Sequence, residues 1–164
     1  MNSELMVMTF RHQNRAETVL EAIRAMRKSP ILCLESAVVA TRDHKGKVTL
    51  RSSREPAVAQ EERDTHILLT LAELILGAPA QDAIDAITER GMDGRFVAEV
   101  ARSMEDASSA LLVLTREDSI HDAGETRRTL ALFKGRIHQT SLPEEIGAYL
   151  LYDLGSSDAR ESVS

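Results

Sequence analysis

Two short runs, "LMVMTF" (Leu5 to Phe10) and "ALLVL" (Ala110 to Leu114), constrain the fold more than anything else in the chain. Successive side chains of a strand point to opposite faces of its sheet. Leu5 and Val7 therefore face one way and Met6, Met8 and Phe10 the other, while Leu111 and Val113 oppose Leu112 and Leu114. Strands that are apolar on both faces belong to a sheet covered on both faces. The chain must therefore supply a helical layer on each side, or borrow one from another subunit.

The remaining pattern predicts how those layers arise. A helix follows the first strand, with Asn14 and Glu17 spaced as a capping box and Ala16, Val19, Leu20, Ile23 and Met26 forming one stripe. Leu34 to Asp43 and Lys47 to Ser52 flank "HKG" and read as a hairpin, Gly46 taking the positive φ of the turn. Residues 53 to 64 read as a loop, followed by two short helices, Thr65 to Leu76 and Pro79 to Glu89, divided by "GAP". Asp93 caps a helix with the stripe Phe96, Val97, Val100, Ala101 and Met104. After the strand Ser109 to Arg116, Ser119 opens a helix bearing Ile120, Ala123, Leu130 and Phe133. A last strand follows at Gly135 to Ser141, and "SLPE" (Ser141 to Glu144) opens a C-terminal helix with Ile146, Tyr149 and Leu150. The expected class is α+β: a ferredoxin-like βαββαβ core with a helical hairpin inserted at about 65–90 and a C-terminal α-β-α extension. One domain spans 1–154 and residues 155–164 form a disordered tail. The usual strand order of that plan puts Lys47 to Ser52 in the centre, although Lys47, Thr49 and Arg51 give it a polar face. Either that part of the sheet is open to water, or Gly135 to Ser141 extends the sheet beside "ALLVL" and shifts its centre.

Blocks such as "LESAVVATRDHKGKVTLR", "GMDGRFVAEVARSM" and "FKGRIHQTSLPEE", in this order across most of residues 7 to 150, resemble the bacterial and archaeal domain of unknown function 1269. That resemblance implies no activity and no catalytic residues, but it implies a membrane association through a Gly-rich apolar hairpin. The chain departs from the pattern there. A spanning helix needs about 20 apolar residues, whereas Ile67 to Ala80 is 14 residues long and contains Glu73 and "GAP". A soluble, cytoplasmic protein is therefore expected, and the N-terminal run lacks the marks of a signal peptide. The helix at 65–76 is apolar nearly all round, so Ile67, Leu68, Leu71, Leu74 and Ile75 are candidate assembly residues for a homodimer or larger homo-oligomer.

No convergent chemistry accompanies this. The histidines His12, His44, His66, His121 and His138 lack metal-ligand spacing, and only His12 and His138 could meet, at neighbouring strand ends. Cys33 reads as a small buried hydrophobe, and the "EERD" run at Glu61 to Asp64 as the solvated start of a helix. Ser108 and Ser109 lack a nucleophile frame and read as the turn into a strand. Lys plus Arg total 20 against 26 Asp plus Glu, a net charge of -6, with no local basic run, so nucleic acid is not an expected partner. No catalytic residue, cofactor or metal is expected. The leading expectation is a non-enzymatic interaction or regulatory module. A peripheral membrane or envelope-stress protein is the alternative, followed by a small-ligand sensor or enzyme.

Overall fold

The computed structural model describes residues 3–25, 37–52, 59–76, 81–116, 128 and 130–154. Met26, Cys33, Ser119, Ile120, Ala123, the "GAP" turn and the C-terminal tail lie outside these. The elements are β1 (Ser3–Phe10), α1 (Arg15–Ala25), β2 (Ala37–Arg42), β3 (Val48–Ser52), α2 (Ala59–Leu76), α3 (Gln81–Glu89), α4 (Gly94–Ser103), β4 (Ser108–Arg116), β5 (Arg136–Leu142) and α5 (Glu144–Ala148). Residues 128, 130 and 131 are also helical, and a π-helical turn, Tyr149–Leu154, follows α5.

The class is α+β, with one five-stranded sheet in the order β3-β2-β4-β1-β5 and every neighbouring pair antiparallel. The expected central place of β3 is corrected. β4 occupies the position beside β1, and β3 lies at the edge, where its alternating polar positions suit a strand with one open side. Nor does β5 extend the sheet beside β4; it pairs with β1, Thr9 opposite Arg136. The wholly apolar strand is thus central, with Val113 beside both Met6 and Ala37.

Both faces are covered from within the chain. On one, Leu5, Val7, Val38, Ala40, Leu112 and Leu114 pack against helices α2 to α5. On the other, Met6, Met8, Phe10, Val39 and Val113 meet Val19, Leu20 and Ile23 of α1 together with Leu130. The second wall that a symmetric copy was expected to give α2 comes from this chain. Ile67, Leu68, Leu71, Leu74 and Ile75 are all buried in the first core, which also holds Ile146 and Leu150, and a Cβ on Gly147 would lie 3.5 Å from Ile67.

Several local expectations change with tertiary context. Helix α2 begins at Ala59, so "EERD" lies inside the helix rather than ahead of it. Its C-terminal end carries no basic residue of its own, and Arg42 of β2 donates to the Leu76 carbonyl at 2.9 Å instead. The box at Asn14 does not close: Ser109 Oγ accepts the Ala16 amide at 3.0 Å, and Glu17 pairs with Arg51 at 2.9 Å. Ser141 is part of β5 and donates to Glu4 at 2.9 Å, leaving α5 capped by Pro143 without a side-chain bond. Ala101 is exposed, unlike its neighbours Phe96, Val97 and Val100. The Asp93 cap forms, its carboxylate accepting from Arg95 N–H at 2.9 Å. The β2–β3 turn forms around Gly46 at φ 84, with Asp43 accepting the Lys45 and Lys47 amides, which holds the Asp43 carboxyl below its usual range.

Leu68 and Leu71 are both fully buried in one core, so Leu68→Glu and Leu71→Glu should each destabilise the chain by about 3 kcal/mol or more, as an unpaired buried charge does. Urea unfolding of the two variants checks this. A variant that kept parental stability while changing only the mass in solution would restore the assembly role.

Candidate functional site

The antiparallel order brings the end of β1 beside the start of β5, with the end of α4, the start of β4 and the start of α1 converging on the same end of the sheet. A cleft of about 500 Å³ opens there. Arg11 and Arg15 enter it from the β1–α1 connection, Arg102 from the last turn of α4, and Lys134 and Arg136 from the start of β5. Among the described residues, no ion pair engages any of these five cations. Glu105 and Asp106 are the carboxylates that line the cleft, so its walls carry an excess of positive charge on a chain whose net charge is -6. Like charges held close together repel, and an anion placed among them relieves that repulsion.

Backbone strain frames the cleft. Ala107 and Lys134 are the non-glycine residues with positive φ among those described, at 58° and 59°. Lys134 lines the cleft, and Ala107 lies between its lining residues Asp106 and Ser108. A left-handed conformation costs a residue with a Cβ about 1–2 kcal/mol, and such strain collects at functional sites. Gly135 is required for close packing: a Cβ there would lie 2.5 Å from the Phe10 ring and 2.8 Å from Met8. Phe10 and the half-buried Phe133 form the apolar part of the wall.

The serines at the start of β4 hold the cleft in shape. Ser109 Oγ donates to the His12 carbonyl at 2.6 Å while accepting the Ala16 amide, tying the β1–α1 connection to β4. Ser108 Oγ donates to the Glu105 carbonyl. His12 lines the cleft, but no contact joins it to His138 among the described residues, so the meeting that the strand ends allowed is not seen. His138 lies on β5 opposite Val7 and is buried, 5% exposed, with Nε2 at 3.2 Å from Ser103 Oγ and Nδ1 at 3.9 Å from Glu99.

Serine, histidine and glutamate in line invite comparison with a nucleophilic triad, but the geometry opposes it. Ser103 Oγ donates its proton to the Glu99 carbonyl at 2.8 Å, the helical i to i−4 bond. In the Nε2-protonated tautomer His138 donates to Ser103 Oγ, and the 3.9 Å gap to the Glu99 carboxylate exceeds hydrogen-bonding range. The contact joins β5 to the last turn of α4. The five assembly candidates from α2 are remote from this chemistry, buried in the helical layer. The sequence reading missed every cation of the cleft, because they fall in three separate stretches, Arg11 with Arg15, Arg102, and Lys134 with Arg136, none of which is a basic run by itself.

No family model, curated protein or solved structure matches this chain.

Burial first, and then the Arg136 guanidinium, hold the His138 pKa below its usual 6.5, with Glu99 pulling weakly the other way. The folded state resists protonating His138 and the unfolded chain does not. This contribution to stability is therefore full above pH 6.5 and is lost as the pH falls through the lowered folded value. Urea unfolding from about pH 7.5 down to about pH 5 should show a fall in stability that His138→Gln flattens. Equal slopes for parent and variant would contradict the assignment.

Proposed function

We propose that the protein is a non-enzymatic regulatory module that holds a small anionic ligand in the sheet-end cleft. The observation that carries this reading is the convergence of Arg11, Arg15, Arg102, Lys134 and Arg136 on one concave site, none of them in an ion pair among the described residues. A volume of about 500 Å³ suits a small molecule. The commitment of the Ser103 proton to its own helix favours binding over catalysis.

Self-association was expected through α2, whose apolar residues are now consumed by the core. Leu132, 68% exposed, is the large hydrophobe left at the surface among the described residues, and it supplies no face of its own. No described helix is long and apolar enough to cross a membrane; the cytoplasm stays the proposed compartment, on the charge and short length of the 65–89 hairpin. The resemblance to domain of unknown function 1269 rests on the ordered sequence blocks and brings no residue roles to the cleft. We read β2-β4-β1-β5 as a split ferredoxin-like plan with β3 added at one edge, because α1 crosses from β1 to β2 over the gap that β4 fills.

Inorganic pyrophosphate is a direct probe. It should raise the melting temperature, as a ligand of the native state does, and the effect should weaken as salt rises. Lys134→Gly separates function from fold, because it relieves the left-handed strain while deleting one cation. The variant should gain about 1 kcal/mol in stability and bind pyrophosphate more weakly. Titration calorimetry and urea unfolding read the two effects; unchanged affinity in Lys134→Gly and in the double variant Arg102→Gln with Arg136→Gln would defeat the proposal.

A further inference from the structure

We infer that the cleft is built for a nucleotide, a ligand joining a polyanionic end to hydroxyl groups and a flat apolar ring. This rests on the anion-binding reading above and adds to it the parts of the wall that an inorganic anion does not use. Glu105 and Asp106 are exposed at the α4–β4 turn inside an otherwise basic cleft. Towards a bare polyanion these carboxylates are repulsive, so a site evolved for one gains nothing from them. Towards a polyol they are acceptors, since an ionised carboxylate can only accept and a sugar hydroxyl can donate. The turn that carries Asp106 is tied to the β2–β3 turn: the Ala107 amide donates to the Asp43 carbonyl at 3.1 Å, and the Asp106 carboxylate lies close to Gly46, 3.3 Å from where a Cβ there would sit. Ala107, next to Asp106 in this turn, has a positive φ of 58°.

The third component is apolar. Phe133 is half-buried at the wall and packs against the core that holds Phe10 and Met8, and the Phe10 ring leaves no room for a side chain at Gly135. A rigid ring beside cations accepts the face of a nucleobase, a contact indifferent to base identity because every base presents a π-face. The cations lie on both sides of the sheet end, Arg102 with α4 and Arg15 with α1. More than one phosphate charge therefore finds a partner, and a nucleoside diphosphate is a better match than a monoanion.

The test is titration calorimetry of the intact chain with ADP, inorganic pyrophosphate and adenosine at fixed salt. ADP should bind about tenfold or more tightly than pyrophosphate, the margin that stacking on one ring supplies, and adenosine should bind far more weakly than either. Phe133→Leu, which keeps apolar bulk but removes the flat ring, should bring ADP down towards pyrophosphate and leave pyrophosphate unchanged. Glu105→Gln, an exposed change that spares the core, should tighten pyrophosphate and weaken ADP. Equal affinities for ADP and pyrophosphate, unaffected by Phe133→Leu, would overturn the nucleotide inference while the anion site stood. Failure of both to bind would overturn the two together.

Discussion

The structure depends on the burial of a central strand with no polar face. Ala110, Leu111, Leu112, Val113 and Leu114 are all at most 3% exposed, and a strand of this kind is stable only where each face is shielded from water. The chain meets this requirement with α1 and Leu130 on one side and α2 to α5 on the other. Each further arrangement follows from that division. β3, with its polar face, is driven to the edge, and the apolar helix α2 is enclosed between the sheet and the C-terminal helix.

Covering both faces leaves the ends of the sheet as the places where polar side chains can gather. At one end the connections into α1, β4 and β5 meet, and the antiparallel pairing of β1 with β5 sets Thr9 against Arg136. Ser109 links these connections by bonding both the His12 carbonyl and the Ala16 amide. The left-handed residues Ala107 and Lys134 adjoin the same cleft. The rigid layers thus support a site made of chain reversals, the usual relation between a scaffold and the loops that carry function.

What was legible in the sequence follows the range of the interaction involved. β1 and β4 were readable from their two-sided apolar pattern, α4 from Asp93 and its stripe, and the β2–β3 turn from Gly46, because each is decided by neighbours a few residues away. The capping boxes at Asn14 and Ser141 were misread because distant partners won: Ser109 caps α1 across 93 residues, and Ser141 turns to Glu4 across 137. The site was the least legible part. Arg11, Arg15, Arg102, Lys134 and Arg136 form no run in the sequence, and they become a patch only when the sheet order is known. The usable signal was positional, since each stands within two residues of the end of a strand or helix. Combining that with the pairing of β1 and β5 would have located the cleft.

The central claim is that three distant stretches of chain make one anion site at the end of a doubly covered sheet. Amide chemical shifts recorded by NMR during a pyrophosphate titration test this most directly. The account predicts that residues 9–15, 102–108 and 133–136 shift together along one saturating curve, with α2 and α3 unaffected. Shifts confined to a single stretch, or an absence of saturable shifts at all three, would contradict it.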